Sequence, residues 1–154
     1  MPLRISGKQL NKLGKRLASQ EPITEGDYAL FNQVAEDYQA ILDIVEAKLQ
    51  GLGYQATTRV KTTGTLRDKL RRSPHLPLKT VHDVAGARIV IDGDREEQDQ
   101  VAGRIMQAFA DCPKAPEPVD RRERPSHGYR AYHVIVYEDG VPVEVQIRTK
   151  LQDT

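Results

Sequence analysis

Residues 130–149, RAYHVIVYEDGVPVEVQIRT, decide the fold of this chain, because they hold two alternating strands joined at a turn signal. The pair Asp139–Gly140 is the strongest short-range hairpin signal a sequence offers. With those two residues in a tight turn, Glu138 pairs with Val141, Val136 with Val143, Val134 with Val145 and Tyr132 with Ile147. That face is apolar or aromatic and is expected to be the core side. Strand side chains alternate, so the opposite face carries His133, Glu144, Gln146 and Arg148, with Ile135 among them. An imidazole, a carboxylate, an amide and a guanidinium on one side of a sheet have the make-up of a site.

Upstream of the hairpin, helices and strands alternate. Val34, Ala35, Tyr38, Ile41, Leu42, Val45, Leu49 and Leu52 follow helical spacing after a capping-box pattern from Thr24 to Asp27, and Gly51 and Gly53 offer the stop. Residues 54–61 alternate and predict a strand with Arg59 and Lys61 side by side. A short basic helix over 65–72 buries Leu66 and Leu70, leaves Arg67, Arg71 and Arg72 near solvent, and ends before Pro74. Residues 84–92 read as a second strand interrupted early by Gly86, with Asp83 at its entrance and Arg88 inside it. Asp94 to Glu97 forms a second capping signal, and Val101, Ile105 and Phe109 mark the buried stripe of the helix that follows. Residues 113–128, with four prolines, read as a loop. Strands separated by helices and closed by a hairpin predict an α/β or α+β domain, a mixed sheet with helices packed on it.

Composition sets the surroundings. A chain of 154 residues with 38% hydrophobic content suits one globular domain with a single core. The net charge of +1 conceals a segregation along the chain. Arg4, Lys8, Lys12, Lys15 and Arg16 crowd residues 1–20, and Arg59, Lys61, Arg67, Lys69, Arg71, Arg72 and Lys79 stand against Asp68 alone in 59–79. Acids collect in 25–46 and 92–99. Such asymmetry suggests a polyanionic ligand. Cys112 is the only cysteine, which excludes an intrachain disulfide and a multi-cysteine metal site and leads us to expect a reducing, cytoplasmic setting. The basic start lacks the apolar core of a signal peptide, and no apolar run approaches the roughly 20 residues of a membrane-spanning helix, so no membrane partner is expected.

Four segments, RVKTTGTLRDK (59–69), HDVAGARIVI (82–91), GYRAYH (128–133) and VEVQIRT (143–149), stand in an order and at distances that resemble the RelA/SpoT-type nucleotide pyrophosphokinase domain. The resemblance covers about residues 25–150 and leaves 1–24 as a basic N-terminal segment. It implies a nucleotidyltransferase-like mixed β-sheet flanked by helices. It also implies transfer of the β,γ-pyrophosphate of ATP to a ribose 3′-hydroxyl, with GDP or GTP as the best-known acceptor and the alarmones of the stringent response as products. Similar proteins continue with further helices after the VEVQIRT strand, so the domain of 25–154 is expected to be truncated at its C-terminus.

By this resemblance Asp83 and Glu144 are the catalytic carboxylates and would hold Mg²⁺, a hard ion that takes one or two carboxylates together with phosphate oxygens. Arg59 and Arg88 match the arginines that sandwich the adenine, a use that suits a planar guanidinium. Lys61 and Lys69 match phosphate contacts, and Thr65 keeps a hydroxyl where a serine is usual. On the acceptor side, Tyr129 matches the tyrosine that stacks on guanine, Arg130 lies beside it, and His133 matches a residue near the acceptor phosphates. Ala131 departs from the usual serine. Gln146 and Arg148 are expected to support the site. For the proton of the attacking hydroxyl, the chain offers Asp83, Glu144 and His133 without choosing among them.

Some similar proteins are toxins that place pyrophosphate on the 3′-hydroxyl at the end of tRNA. For that acceptor Arg121, Arg122 and Arg124, together with the basic residues 1–20, could supply a phosphate-binding surface. An antitoxin or a second copy of the chain would then be a natural partner. A nucleotide sensor without catalysis is the reading from a different class. The paired carboxylates Asp83 and Glu144 speak against it.

Overall fold

The computed structural model describes residues 3–19, 21–120 and 132–150. It contains helices α1 (Gly7–Ala18), α2 (Glu25–Gly51), α3 (Thr63–Arg72) and α4 (Arg95–Ala108). Its strands are β1 (Thr57–Val60), β2 (Ala85–Ile91), β3 (Glu117–Asp120), β4 (Tyr132–Glu138) and β5 (Val141–Thr149). The strands form one sheet in the order β1-β2-β5-β4-β3. Only β2 and β5 run parallel; the other neighbours are antiparallel.

The hairpin has the register expected from its turn. Glu138 faces Val141, Val136 faces Val143, Val134 faces Val145 and Tyr132 faces Ile147. Asp139 and Gly140 take φ of 51° and 78°, the pair of positive values that a two-residue type I′ turn demands and that Asp-Gly supplies with little strain. This turn fixes which side chains of β4 and β5 share a face, because a slip of one residue would exchange the core set for the polar set.

The core forms on the apolar face. Val134, Val136, Val143, Val145 and Ile147 join Ala85, Ala87 and Ile89 of β2 in one buried cluster with Val34, Tyr38, Ile41, Leu42, Val45 and Leu49 of α2 and Val101, Ile105 and Phe109 of α4. Each of these valine, leucine, isoleucine and phenylalanine side chains contributes roughly 1.5–3 kcal/mol when fully removed from water. Thr24 accepts a hydrogen bond from the Asp27 amide at the start of α2, and Asp94 accepts one from the Glu97 amide at the start of α4, so the N-cap half of each expected capping box forms without the return bond from residue 27 or 97. At the end of α2, Gly53 N–H donates to the Gln50 carbonyl and Tyr54 N–H to that of Leu49, a Schellman closure.

Four expectations need correction. Residues 113–128 are not a loop throughout, since Glu117–Asp120 pairs with β4 as the edge strand β3. Proline-rich sequence obscured it, but an edge strand tolerates Pro118 because one of its sides needs no ladder donor. Residues 1–24 are not only a basic segment: Leu10, Leu13 and Leu17 turn α1 into an amphipathic helix that enters the same core. A Ser6–Gln9 capping box starts it, and that signal stood in the sequence. Helix α3 begins at Thr63 because Thr62 caps it, and β1 is shorter than 54–61. Arg67 and Arg71 are not left to solvent alone. Arg67 donates to the carbonyls of Ser19 and Glu21, and Arg71 to that of Ser19, where cations offset the negative end of α1.

Among the described residues no helix is long and apolar enough to cross a membrane.

Candidate active site

The second face of the sheet carries the polar residues in two adjacent rows. One row runs Arg59, Gly86, Glu144, Ile135 and Glu117 across all five strands; the next runs Thr57, Arg88, Gln146, His133 and Val119. The parallel pairing of β2 with β5 is what sets Gly86 beside Glu144 and Arg88 beside Gln146. No local sequence rule fixes that offset.

A cleft of about 350 Å³ opens over these rows, lined by Thr57, Arg59, Lys61, Asp83, Gly86, Ala87, Arg88, Glu144 and Gln146. Gly86 leaves the floor between Arg59 and Glu144 without a side chain. A glycine inside a strand often marks such a close approach.

At one side of the cleft, Asp83 lies in the turn that precedes β2. Lys61 Nζ donates to its Oδ2 at 2.8 Å and Lys69 Nζ to its Oδ1 at 2.9 Å. Lys61 comes from the end of β1, where its amide also donates to the Val84 carbonyl at 2.7 Å, and Lys69 comes from α3. Burial works against the charged form of Asp83. The hydrogen bonds from Lys61 and Lys69 outweigh it and hold the carboxyl below its ordinary value.

On the floor, Glu144 Oε1 accepts a hydrogen bond from Gln146 Nε2 at 3.1 Å and lies 3.4 Å from His133 Nδ1. His133 is buried on β4 and Glu144 is partly buried on β5. Among the described residues, Gln146 Oε1 is buried without a hydrogen-bond partner. A buried amide oxygen of this kind can accept from a donor on a ligand or from a bound water.

The structure therefore brings Arg59, Lys61, Asp83, Arg88, Glu144 and Gln146 onto one cleft. Lys69 joins them through Asp83, and His133 through Glu144. Thr65 and Arg148 are not on its wall: Thr65 sits in the first turn of α3, its hydroxyl 2.8 Å from that of Thr62, and Arg148 lies one row further along β5, opposite Val90. Tyr129, Arg130, Arg121, Arg122 and Arg124 lie outside the described residues. Gly86 and Thr57 are cleft residues that sequence reading did not nominate. The alternation that placed Arg59 on this face could have placed Thr57 there as well.

Among the described residues, no group of three or more His, Cys, Asp and Glu is arranged to hold a metal ion. A transition-metal centre has no such donor set there. Two carboxylates on one cleft are instead the sparse oxygen set that Mg²⁺ accepts when phosphate oxygens complete its shell.

A mixed sheet with its core helices on one face and a cationic cleft with two carboxylates on the other has the architecture of a nucleotidyltransferase-like domain. Residues 58–154 match the region found in RelA / SpoT proteins, and the chain belongs to that family. An uncharacterized protein of Mycobacterium tuberculosis is 41% identical over 115 residues, 70% of this chain and 41% of that protein. A probable chloroplastic GTP diphosphokinase, RSH3 of Arabidopsis thaliana, is 28% identical over 106 residues, 67% of this chain and 14% of its own. The chain thus spans less than half the length of these curated relatives. Among solved structures, small alarmone synthetase 1 of Bacillus subtilis superposes with a TM-score of 0.61 at 26% identity, over 75% of this chain and 69% of that one. The same protein bound to its product pppGpp gives a TM-score of 0.61 at 24% identity, over 75% and 71%.

Proposed function

We propose that this domain is a Mg²⁺-dependent pyrophosphokinase that transfers the β,γ-pyrophosphate of ATP to the ribose 3′-hydroxyl of GDP or GTP. The observation that carries this reading is the pairing of Asp83 with Lys61 and Lys69 on the same cleft as Glu144. Cations positioned around a carboxylate are cations ready for phosphate.

In this reaction the acceptor 3′-oxygen attacks the β-phosphorus of ATP, the bond from that phosphorus to the α,β-bridging oxygen breaks, and AMP leaves. Asp83 and Glu144 would hold Mg²⁺, which when bound offsets charge on the phosphate oxygens. Lys61 and Lys69 bind and orient the phosphates, exchanging Asp83 for them, and the N-terminus of α3 adds its positive end nearby. Arg59 and Arg88, in neighbouring rows of the cleft floor, are suited to stack on the donor base.

The hydroxyl proton needs an acceptor. In the described structure Lys61 and Lys69 stabilise the charged form of Asp83, which lowers its basicity. Glu144 and His133 stand 3.4 Å apart and form a pair able to take the proton and share the resulting charge. Gln146 orients that pair through its bond to Glu144. The acceptor base falls to Tyr129 and Arg130 by family resemblance.

The relatives lend support in their own terms: one is named a probable GTP diphosphokinase, and a solved neighbour carries pppGpp as its product. The test is AMP release from ATP and Mg²⁺ with no acceptor, with GDP or GTP, and with deacylated tRNA. Release that depends on a guanine nucleotide supports the reading; no release with any acceptor sinks it.

A second acceptor, the 3′ end of tRNA, has one observation in its favour. Helix α1 has no acidic residue, and its Lys8, Lys12 and Lys15 line a concave surface with Lys79. None of the four is ion-paired with a described carboxylate. Such a stripe suits a phosphodiester backbone, and an antitoxin or a second copy could cover it. AMP release with tRNA alone would assign this acceptor instead.

A further inference from the structure

Tyr137 belongs to none of the motifs that define the cleft, yet it stands on the cleft face of β4, two residues beyond Ile135 and four beyond His133. It is 3% exposed. Its hydroxyl donates to Glu117 Oε1 on β3 at 3.0 Å, and Lys114 Nζ sits 4.2 Å from its ring centroid. The His82 imidazole meets it edge to face, with centroids 6.3 Å apart and planes at 89°. That is a favourable geometry for two aromatic rings. Two separate segments of the chain, the His82 turn and residues 114–117, converge on this one ring.

His82 is the residue immediately before Asp83, and both lie in the turn between the 3₁₀ turn Leu78–Thr80 and β2. Asp83 is therefore not held by a ladder position of its own. In the described structure Lys61 and Lys69 grip its carboxylate. Once those lysines pass to substrate phosphates, the grip is gone at the step when Asp83 must present its oxygens to the cleft. The backbone on either side is then fixed by the buried Val81 and Val84 and by His82 on Tyr137.

We infer that Tyr137 is a positioning residue for Asp83, acting through the edge-to-face contact with His82 and itself fixed by Glu117 and Lys114. The contact ties the carboxylate turn to the β3–β4 edge of the sheet. This rests on the pyrophosphokinase reading, because it concerns the carboxylate proposed to meet Mg²⁺.

The experiment measures calorimetric binding of α,β-methylene-ATP with and without Mg²⁺, so that the gain in affinity due to the metal is read apart from turnover. His82 is partly exposed, so His82→Ala opens no core cavity, and thermal melting checks the fold of each variant. His82→Ala and Tyr137→Leu are expected to reduce the metal-dependent gain about two- to tenfold, the range an aromatic pair supports, with metal-free binding unchanged. His82→Phe, which keeps a ring, and Tyr137→Phe, which keeps the contact, are expected to retain most of the gain. An unaltered gain in His82→Ala overturns the inference while leaving the pyrophosphokinase reading intact. A wild-type protein with no metal-dependent gain overturns both, and a loss in His82→Ala that His82→Phe does not restore assigns the effect to something other than the ring.

Discussion

Lys61 Nζ lies 2.8 Å from Asp83 Oδ2, and the two residues meet although 22 positions separate them in the chain. Lys69 completes the arrangement from α3 at 2.9 Å. Lys61→Met leaves Asp83 with one partner in a partly buried position. We expect a loss of about 1–2 kcal/mol in urea unfolding at pH 7, with weaker ATP binding. The folded pKa of Asp83 is depressed, so the stability it contributes is present in full above its ordinary value of 3.8 and is lost as pH falls through the lower folded value. The difference between wild type and Lys61→Met should accordingly shrink in that acid range. A difference that persists unchanged there contradicts the pairing.

Glu144 has different surroundings from Asp83, its partners being an amide and an imidazole, not two ammonium groups. Glu144→Gln is expected to lower AMP release about 10²- to 10⁴-fold while metal-free nucleotide binding stays within a few-fold of wild type. Parallel turnover and binding assays check this. Full turnover in the variant would remove Glu144 from the chemistry.

Gly86 gives the cleft its open floor. A Cβ added there meets the Glu144 carbonyl oxygen at 3.6 Å, an ordinary contact, so Gly86→Ala should fold with unchanged or slightly raised stability. Gly86→Leu should keep the fold and lose ATP affinity by filling space between Arg59 and Glu144. Melting temperatures and calorimetry on both variants separate the effects of space from those of folding.

Leu13 of α1 is fully buried, and α1 packs against α2, α3 and the 3₁₀ turn before Asp83. Leu13→Ala is expected to cost about 2–5 kcal/mol in chemical denaturation. A cost near zero would mean that α1 is not part of the cooperative fold.

Tyr38 and Tyr137 both have phenol groups pushed up to about 12, Tyr38 by burial and Tyr137 by burial reinforced by its bond to Glu117. A raised folded value means that their contribution to stability is complete below the ordinary 10 and disappears as pH rises through about 12. Phenolate absorbance followed with pH should show a late-titrating class, and Tyr137→Phe should remove part of it. Ionisation of all tyrosines near 10 in the folded protein contradicts the burial of these two.

The hairpin was legible in the sequence because its information is local. Asp139–Gly140 specifies the turn, the turn specifies the register, and strand alternation then puts His133, Glu144 and Gln146 on one face. The long α2 and the caps at Thr24 and Asp94 were legible for the same reason. Helix α1 was within reach, since Leu10, Leu13 and Leu17 repeat at helical spacing, but its four basic residues outnumber that apolar stripe. Strand β3 was hidden because pairing with β4, and not the propensity of Glu117–Asp120, makes it a strand.

By itself, then, the sequence determined the elements, the faces of the hairpin and, through four motifs in order, the family. Only the tertiary structure decided the strand order β1-β2-β5-β4-β3 and the parallel offset that sets Gly86 beside Glu144 and Arg88 beside Gln146. It alone brought Lys61, Lys69 and Asp83 together and set His82 on Tyr137. The physical reason is the range of the interactions. Turns, caps and alternation depend on a few adjacent residues, whereas the partners in a charge cluster or a ring contact come from elements that meet only when a shared apolar core has closed.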